Sequence, residues 1–118
     1  MNIETIKSVY FVGAGGIGMS ALIRYFLSKG KMVAGYDRTP SELTGRLITE
    51  GARIHYQEDI RLIPEACKDP ASTLVVYTPA VPQEHAELMY FRENGFGIHK
   101  RSEVLGIITR SSKALCVA

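Results

Sequence analysis

The chain has 118 residues, of which 46% are hydrophobic and 22% charged, and its formal net charge is +2 at pH 7. This length suits one domain with one packed core, and the small, scattered charge disfavours nucleic-acid binding. No apolar run approaches the ~20 residues of a membrane-spanning helix, and residues 1–4 lack the pattern of a signal peptide. The two cysteines, Cys67 and Cys116, lie far apart, which favours reduced thiols in a cytoplasmic protein over a disulfide or a metal site.

Apolar runs alternate with segments of helical period in the first half of the chain. In order, we predict a strand at 8–12, a helix at 16–29, a strand at 31–36, a helix ending near Gly51 and a strand at 52–56. The inner face of the first helix is predicted to carry Ile17, Ala21, Leu22, Tyr25 and Phe26. Lys29 and Gly30 suit its end, and Thr39-Pro40-Ser41-Glu42 has the form of a capping box with proline at the first helical position.

The second half begins less regularly. Residues 57–68 hold a possible short helical face, interrupted by Pro64 and made of Ile60, Ile63 and Cys67. After it we predict a strand at 73–78, a helix at 83–94 with Leu88 and Phe91 facing inward, a strand at 96–99, a helix capped by Ser102 and a strand at 113–118. The final apolar strand ends the chain abruptly, and we therefore expect the N-terminal piece of a longer protein.

The glycine-rich segment between the first strand and the first helix is the most informative feature. Gly13, Gly15 and Gly18 have G-x-G-x-x-G spacing. In such a loop the first glycine permits a tight turn, the second lets the backbone approach a pyrophosphate, and the third lets helix and strand pack closely. The free N–H groups of the first helical turn then face the anion. The segment predicts a phosphate-binding loop.

Strands that alternate with helices on short connections predict a Rossmann-like, doubly wound, mostly parallel α/β sheet with helices on both faces. Ligands of such sheets bind beyond the carboxyl ends of the strands. Besides the glycine loop, Asp37 follows the second strand, where a carboxylate commonly binds ribose hydroxyls, and residues 78–81 follow the fourth. Asp37 also suits an ordinary turn, and Arg38 could approach a phosphate or lie solvated on the surface.

The remaining polar residues form no catalytic constellation. The three histidines lack metal-ligand spacing, and structural roles are predicted for His55, His85 and His99. Glu84 and Glu87, three residues apart on a predicted helix, are predicted to lie on its solvated face. No residues resemble a nucleophile with its base, and Gly30-Lys31 is followed by Met32 rather than by the Ser or Thr of a phosphate loop. No catalytic or metal-binding residue is therefore predicted.

The run Phe11-Val12-Gly13-Ala14-Gly15-Gly16-Ile17-Gly18-Met19-Ser20-Ala21-Leu22 closely resembles the opening of the muramyl ligases, the ATP-dependent amino-acid-adding enzymes of peptidoglycan synthesis. The resemblance continues at Gly35-Tyr36-Asp37, at Thr78-Pro79-Ala80-Val81 and from Lys100 to Leu105. It implies that this domain holds the UDP part of UDP-N-acetylmuramate, whereas missing domains bind ATP, magnesium and L-alanine. This piece alone should then bind nucleotide sugar without catalysing.

The resemblance also implies the residues that face the UDP-sugar, namely Ala14, Gly15, Gly16, Ile17, Gly18, Asp37, Arg38, Thr78, Pro79, Ala80 and Val81. Three departures concern the pocket. Tyr36 and Thr78-Pro79 stand where the family often has serines, and Gln57-Glu58 stands where it often has Gly-His. Because Pro79 has no N–H, a backbone donor there must come from Ala80 or Val81.

Two other interpretations fit the glycine loop and Asp37. One is a regulatory module that senses NAD or another nucleotide, which leaves Gly16 and Met19-Ser20 without explanation. The other is the cofactor half of an NAD-dependent dehydrogenase, which requires hydride-transfer residues in a missing domain. A Gly-Lys-Thr sequence shortly after residue 118 would favour the ligase.

Overall fold

The computed structural model describes residues 5–15, 18–78, 81–82 and 84–111. Five strands in these ranges form one parallel sheet in the order β3-β2-β1-β4-β5. The strands are β1 Ser8–Val12, β2 Met32–Tyr36, β3 Arg53–His55, β4 Thr73–Tyr77 and β5 Gly97–Lys100. The helices are α1 Met19–Ser28, α2 Glu42–Glu50, α3 Ala86–Glu93 and α4 Arg101–Ser111. This arrangement confirms the predicted Rossmann-like α/β fold.

Strand β1 lies at the centre of the sheet and sets the position of the ligand-binding edge. Its last residue, Val12, pairs with Tyr36 of β2 and with Tyr77 of β4. Because these strands end level with one another, the segments that follow them leave the sheet at the same edge. The chain builds the sheet outward through β2 and β3 and then crosses to β4, so this edge is the topological switch point.

Every residue of β1 is buried, as expected for a continuous apolar run in a parallel sheet. Side chains alternate along the strand, so Val9 and Phe11 join one core and Tyr10 and Val12 join the other. The first core is closed by side chains from α1, α2 and α4, including Phe26, Leu47, Val104 and Ile108. The second is closed by side chains from α3 and its neighbours, including Ile63, Cys67, Phe91 and Phe96.

The inner face of α1 agrees with the prediction in part. Leu22 and Phe26 face inward as predicted, whereas Ala21 is exposed and Tyr25 is half-buried. Two other residues complete this face, Met19 and Ile23. The prediction that glycines end the first two helices is confirmed. Gly30 and Gly51 lie just past the ends of α1 and α2 and have positive φ values of 76° and 124°. Leu88 and Phe91 of α3 are fully buried, also as predicted.

Helix α2 begins at a different residue from the one predicted. Its N-cap is Ser41 rather than Thr39, and Pro40 lies outside the helix. Ser41 Oγ accepts the N–H of Thr44 at 3.2 Å, and Thr44 Oγ1 accepts the N–H of Ser41 at 2.9 Å. The short hydroxyl side chain of Thr44 thus closes the capping box where a glutamate is usual.

Two further segments also differ from prediction. Helix α4 begins at Arg101, so Ser102 is not its cap, and Glu103 Oε1 accepts the N–H of Lys100 at 3.0 Å instead. Residues 57–68 form two 3-10 turns, Ile60–Leu62 and Glu65–Cys67, because Pro64 lacks the N–H that one continuous helix would need. The predicted strand at 113–118 lies outside the described residues.

Candidate functional site

A cleft of about 510 Å³ opens at the carboxyl edge of the sheet, where β1, β2 and β4 end. The three segments that the sequence predicts at this edge converge there. The lining residues are Gly13, Gly15, Tyr36, Asp37, Arg38, Glu58, Thr78, Val81, Pro82 and His85. The volume lies within the range of small-molecule sites.

The glycine loop is tied to β2 by its backbone. Gly13 has a φ of 92°, which favours glycine, and a Cβ there would lie 3.2 Å from Thr78 Oγ1. The N–H groups of Gly13 and Ala14 both donate to the carbonyl oxygen of Tyr36, at 2.8 Å each. Ala14 is fully buried and packs in the first core. It braces the loop and is not among the residues that line the cleft.

Gly15 brings the loop against Asp37. A Cβ at Gly15 would lie 2.8 Å from Asp37 Oδ2, closer than real Cβ atoms approach, and 3.1 Å from Thr44 Cγ2, a tight contact. The missing side chain therefore allows the Asp37 carboxylate to pack beside the loop. The motif predicts a glycine at position 15 so that a ligand can approach the backbone closely. The contact with Asp37 is a second reason for glycine at this position.

The N-terminus of α1 presents positive charge to the same edge. Gly18 is its N-cap with a φ of 79°, no described side chain caps it, and its first turn holds no acidic residue. The guanidinium of Arg101 lies over this end, since Nη1 would be 2.9 Å from a Cβ on Gly18. Free N–H groups, the helix dipole and a cation together suit an anion. Gly16 and Ile17 lie outside the described residues.

The segment after β4 supplies the wall opposite Asp37. Thr78 is buried and lies beside Gly13. The N–H of Val81 donates to the carbonyl oxygen of Thr78 at 3.1 Å. The N–H of Val81, one of the two backbone donors predicted for this loop, is therefore already used within the turn. The other donor, the N–H of Ala80, lies outside the described residues, as does Pro79.

The remaining wall is formed by Tyr36, Glu58 and His85. The rings of Tyr36 and His85 pack with centroids 4.6 Å apart. Glu58 Oε2 accepts the N–H of Ala86 at 2.8 Å and His85 Nδ1 accepts the N–H of Glu87 at 3.2 Å, so both side chains cap α3. Burial, with a smaller contribution from the Glu58 carboxylate, raises the pKa of Tyr36. A tyrosine hydroxyl is protonated at neutral pH in any case, so Tyr36 can donate a hydrogen bond.

The prediction that Glu87 faces solvent is wrong, although Glu84 is exposed. Glu87 is fully buried and is held by three neighbours. The hydroxyl of Tyr10 donates to Oε1, the N–H of Asp59 donates to Oε2 at 3.2 Å, and His55 Nε2 lies 2.8 Å from Oε2. A buried carboxylate is tolerated only with such partners. The sequence does contain one signal for the burial of Glu87, because Glu87 lies four residues before the inward-facing Phe91 and therefore on the same face of the helix.

Besides Gly13 of the loop, five residues at this edge lie outside the set predicted to face the UDP-sugar, namely Tyr36, Glu58, Pro82, His85 and Arg101. Glu58 and His85 line the cleft, and Arg101 reaches α1 from the first turn of α4. Periodicity cannot identify them, because each enters the site through the packing of separate elements. The sequence does contain a signal for two of them, because Tyr36 and Glu58 stand at pocket positions of the family resemblance.

The described residues contain no group of three His, Cys, Asp or Glu side chains that could hold a metal ion. Among the described helices, none has the length and apolarity needed to span a bilayer. Cys67 is a free, buried thiol, and burial raises its pKa to about 11. Cys116 lies outside the described part of the chain.

Comparison with known proteins identifies relatives along almost the whole sequence. A family model described as "Mur ligase family, catalytic domain" matches residues 8–113. The chain is 71% identical over 118 residues to a UDP-N-acetylmuramate–L-alanine ligase of Phocaeicola vulgatus and 65% identical to one of Parabacteroides distasonis. Each alignment covers 100% of this chain and 26% of the relative. The chain thus spans about a quarter of the length of the curated relatives it matches.

Solved structures agree with this fold. A UDP-N-acetylmuramate–alanine ligase from Thermotoga maritima superposes with a TM-score of 0.75 at 29% identity, covering 87% of this chain and 23% of that one. A UDP-N-acetylmuramate:L-alanyl-gamma-D-glutamyl-meso-diaminopimelate ligase from Neisseria meningitides superposes with a TM-score of 0.67 at 18% identity, covering 80% of this chain and 28% of that one. The second likeness concerns the fold alone.

Proposed function

Since this chain belongs to the Mur ligase family, we propose that it is the N-terminal UDP-sugar-binding domain of a UDP-N-acetylmuramate–L-alanine ligase. The observation that carries the proposal is the 71% identity to such a ligase across all 118 residues. The cleft at the switch point supports it, because the glycine loop, Asp37 and Thr78 meet there as nucleotide binding requires. We place the complete enzyme in the cytoplasm, where UDP-sugars are available.

In this proposal the pyrophosphate lies at the N-terminus of α1 and faces residues 15–18. The helix dipole contributes roughly 0.3–1 kcal/mol to binding at an exposed terminus, and each backbone hydrogen bond to a charged phosphate adds about 1.5–3 kcal/mol. Asp37 binds ribose hydroxyls, with Arg38 beside it, and residues 78–81 close the pocket. The position of Asp37 against Gly15 supports this order of the ligand along the cleft.

The complete ligase joins L-alanine to the lactyl carboxylate of UDP-N-acetylmuramate through an acyl phosphate formed with ATP. We assign ATP, magnesium and L-alanine to parts of the ligase outside this chain. The role of this chain's residues is to bind the UDP end and so orient the lactyl group for reaction. We therefore expect the 118-residue chain to bind UDP-N-acetylmuramate without forming the amide.

Calorimetric titration of the chain with UDP-N-acetylmuramate, UDP and NAD tests the proposal. We expect UDP-N-acetylmuramate and UDP to bind more tightly than NAD, because the chain is 71% identical over its whole length to a UDP-N-acetylmuramate–L-alanine ligase. A preference for NAD would overturn the proposal and favour a nucleotide-sensing module. A parallel assay for phosphate release with ATP and L-alanine should give no turnover.

A further inference from the structure

A fully buried carboxylate beside the cleft takes no part in the ligand contacts proposed above. It belongs to Glu87, in the first turn of α3. Burying a charged group costs free energy unless hydrogen bonds replace its water, and apolar residues of similar volume are often equally or more stabilising at such positions. Stability of the core therefore does not account for a carboxylate here, and its contacts indicate what else it does.

This carboxylate ties α3 to three other parts of the domain. The hydroxyl of Tyr10, from the central strand β1, donates to Oε1 of Glu87. Nε2 of His55, at the end of β3, lies 2.8 Å from Oε2. The N–H of Asp59, in the segment that follows β3, donates to the same oxygen at 3.2 Å. Glu87 thus links α3 to the middle of the sheet, to its outermost strand on one side and to the segment beyond that strand.

Two of the three residues in the remaining wall of the cleft lie next to these contacts. Glu58 directly precedes Asp59, and His85 lies two residues before Glu87. Glu58 accepts the N–H of Ala86 at 2.8 Å, and His85 Nδ1 accepts the backbone N–H of Glu87 at 3.2 Å. Both wall residues are therefore carried by backbone segments that the Glu87 carboxylate joins to each other.

The third wall residue, Tyr36, is connected to the carboxylate through His55. The rings of Tyr36 and His55 have centroids 5.9 Å apart, and those of Tyr36 and His85 have centroids 4.6 Å apart. On one side the three wall residues face the open cleft. On the core side they have their support, and the contacts that supply it converge on Glu87.

We propose that Glu87 is a positioning residue for the UDP cleft, an inference that rests on the proposed function. By accepting hydrogen bonds from Tyr10 and Asp59, it keeps the wall in place relative to β1 before the ligand arrives. A wall that is already ordered loses less conformational entropy when the ligand binds, and such preorganisation raises affinity. An apolar side chain could fill the same space but could not accept these hydrogen bonds.

Calorimetric titration of the 118-residue chain with UDP measures this contribution. Glu87→Leu removes both acceptor oxygens and should weaken UDP binding about tenfold, the effect of having to order one or two side chains on binding. Glu87→Gln keeps the length of the side chain and one acceptor oxygen, so it should recover most of that affinity. Tyr10→Phe removes the hydrogen bond from β1 alone and should weaken UDP binding about threefold.

Leu74→Ala is the matched control for a loss of stability. Leu74 is buried in the first core near the amino end of β4, whereas the cleft lies at the carboxyl end of the sheet. The substitution destabilises the domain by leaving a cavity, but it should leave the affinity for UDP unchanged. Urea denaturation of each variant identifies any that do not fold.

Amide hydrogen exchange supplies a readout that a merely structural role would not change. The N–H of Asp59 donates to the buried Glu87 carboxylate, so it should exchange slowly in the ligand-free chain. In Glu87→Leu it should exchange at least about tenfold faster while the amides of β1 stay protected, and UDP should slow it again. A general loss of stability would instead speed exchange throughout the core by one common factor.

Unchanged UDP affinity in Glu87→Leu overturns the positioning role and leaves the proposed function standing, and so does an equal loss of affinity in Leu74→Ala. Equal losses in Glu87→Leu and Glu87→Gln also overturn it, because acceptance of hydrogen bonds would then not be the cause. Should Glu87→Leu fail to fold, Tyr10→Phe decides, since undiminished UDP binding by that variant contradicts the proposal. Absence of UDP binding by the unaltered chain overturns the proposed function together with the inference.

Discussion

Removal of the Tyr10 hydroxyl should destabilise the domain through its buried carboxylate. Tyr10 is fully buried, its hydroxyl donates to Glu87, and its ring packs on Phe91 with centroids 5.0 Å apart. Tyr10→Phe keeps the ring and leaves no cavity of side-chain size, so the lost contacts of the hydroxyl dominate, which are the hydrogen bond to Glu87 and a 3.2 Å contact with His55 Nε2. Among the described residues, Glu87 then retains its contacts with Asp59 and His55.

A hydrogen bond to a charged group contributes about 1.5–3 kcal/mol, and we expect Tyr10→Phe to lower the free energy of unfolding by that amount. With a urea m-value of about 1–3 kcal/mol per M, the midpoint should fall by roughly 1 M. Circular dichroism during urea denaturation at pH 7 measures the shift. Tyr25→Phe is the matched control, because the half-buried Tyr25 hydroxyl has no described hydrogen bond, and its effect should stay within about 0.5 kcal/mol.

A double-mutant cycle with Glu87→Gln then isolates the pair. A hydrogen bond from the Tyr10 hydroxyl to the neutral amide of Glu87→Gln contributes only about 0.5–1.5 kcal/mol. Tyr10→Phe should therefore lower the free energy of unfolding less in the Glu87→Gln background than in the unaltered chain. The reasoning is refuted if Tyr10→Phe is as mild as Tyr25→Phe. It is also refuted if the two substitutions are strictly additive, because residues in one hydrogen-bond network should couple.

Three further predictions concern the glycine loop, a helix cap and a buried thiol. Gly15→Val should abolish UDP binding in calorimetry while the domain stays folded, because a Cβ at this position collides with Asp37. Gly45→Val is the control and should bind UDP normally, because the space around a Cβ at Gly45 is open. Undiminished binding by Gly15→Val would contradict the proposed site. Ser41→Ala should lower the free energy of unfolding by about 1 kcal/mol, because it removes the N-cap of α2. Ser102→Ala is the control and should leave the free energy of unfolding nearly unchanged, because Ser102 is exposed and caps no helix. Equal losses of stability in the two variants would contradict the assignment of Ser41 as the cap. The folded pKa of Cys67 is raised from 9.0 to about 11, so unfolding releases its proton more readily above pH 9. Its contribution to stability is complete below pH 9 and declines by up to about 1.4 kcal/mol per pH unit toward pH 11. Urea midpoints across this range should decline less steeply for Cys67→Ala, and identical slopes would count against a buried thiol.

Local chemistry made the sheet and the loop predictable. The apolar run of β1 must be buried on both faces, and the glycine spacing places a turn with positive φ at Gly13 and Gly18 whatever surrounds them. Asp37 and Thr78 could be assigned to one edge because parallel strands on short connections end together. These inferences need only periodicity, backbone sterics and topology, all of which adjacent residues carry.

Helix boundaries were less predictable because two nearby residues competed for the same role. Both Thr39 and Ser41 can cap a helix, and the hydroxyl of Thr44 decided for Ser41 by returning the second hydrogen bond. The two alternative caps differ in stability by only a few tenths of a kcal/mol to about 1 kcal/mol. It therefore shifts an element by a residue or two without changing the fold.

Residues adjacent in the chain were enough to predict a parallel α/β sheet with a glycine-rich loop at its carboxyl edge, because strand period, helix period and glycine spacing are local features. The folded structure was needed to show that Glu87 is buried, that Glu58 and His85 form a wall of the cleft, and that Arg101 covers the N-terminus of α1. These side chains meet across elements that are distant in sequence. Their charge and hydrogen bonding depend on which partners packing brings within about 3 Å, and that distance is a property of the folded chain alone.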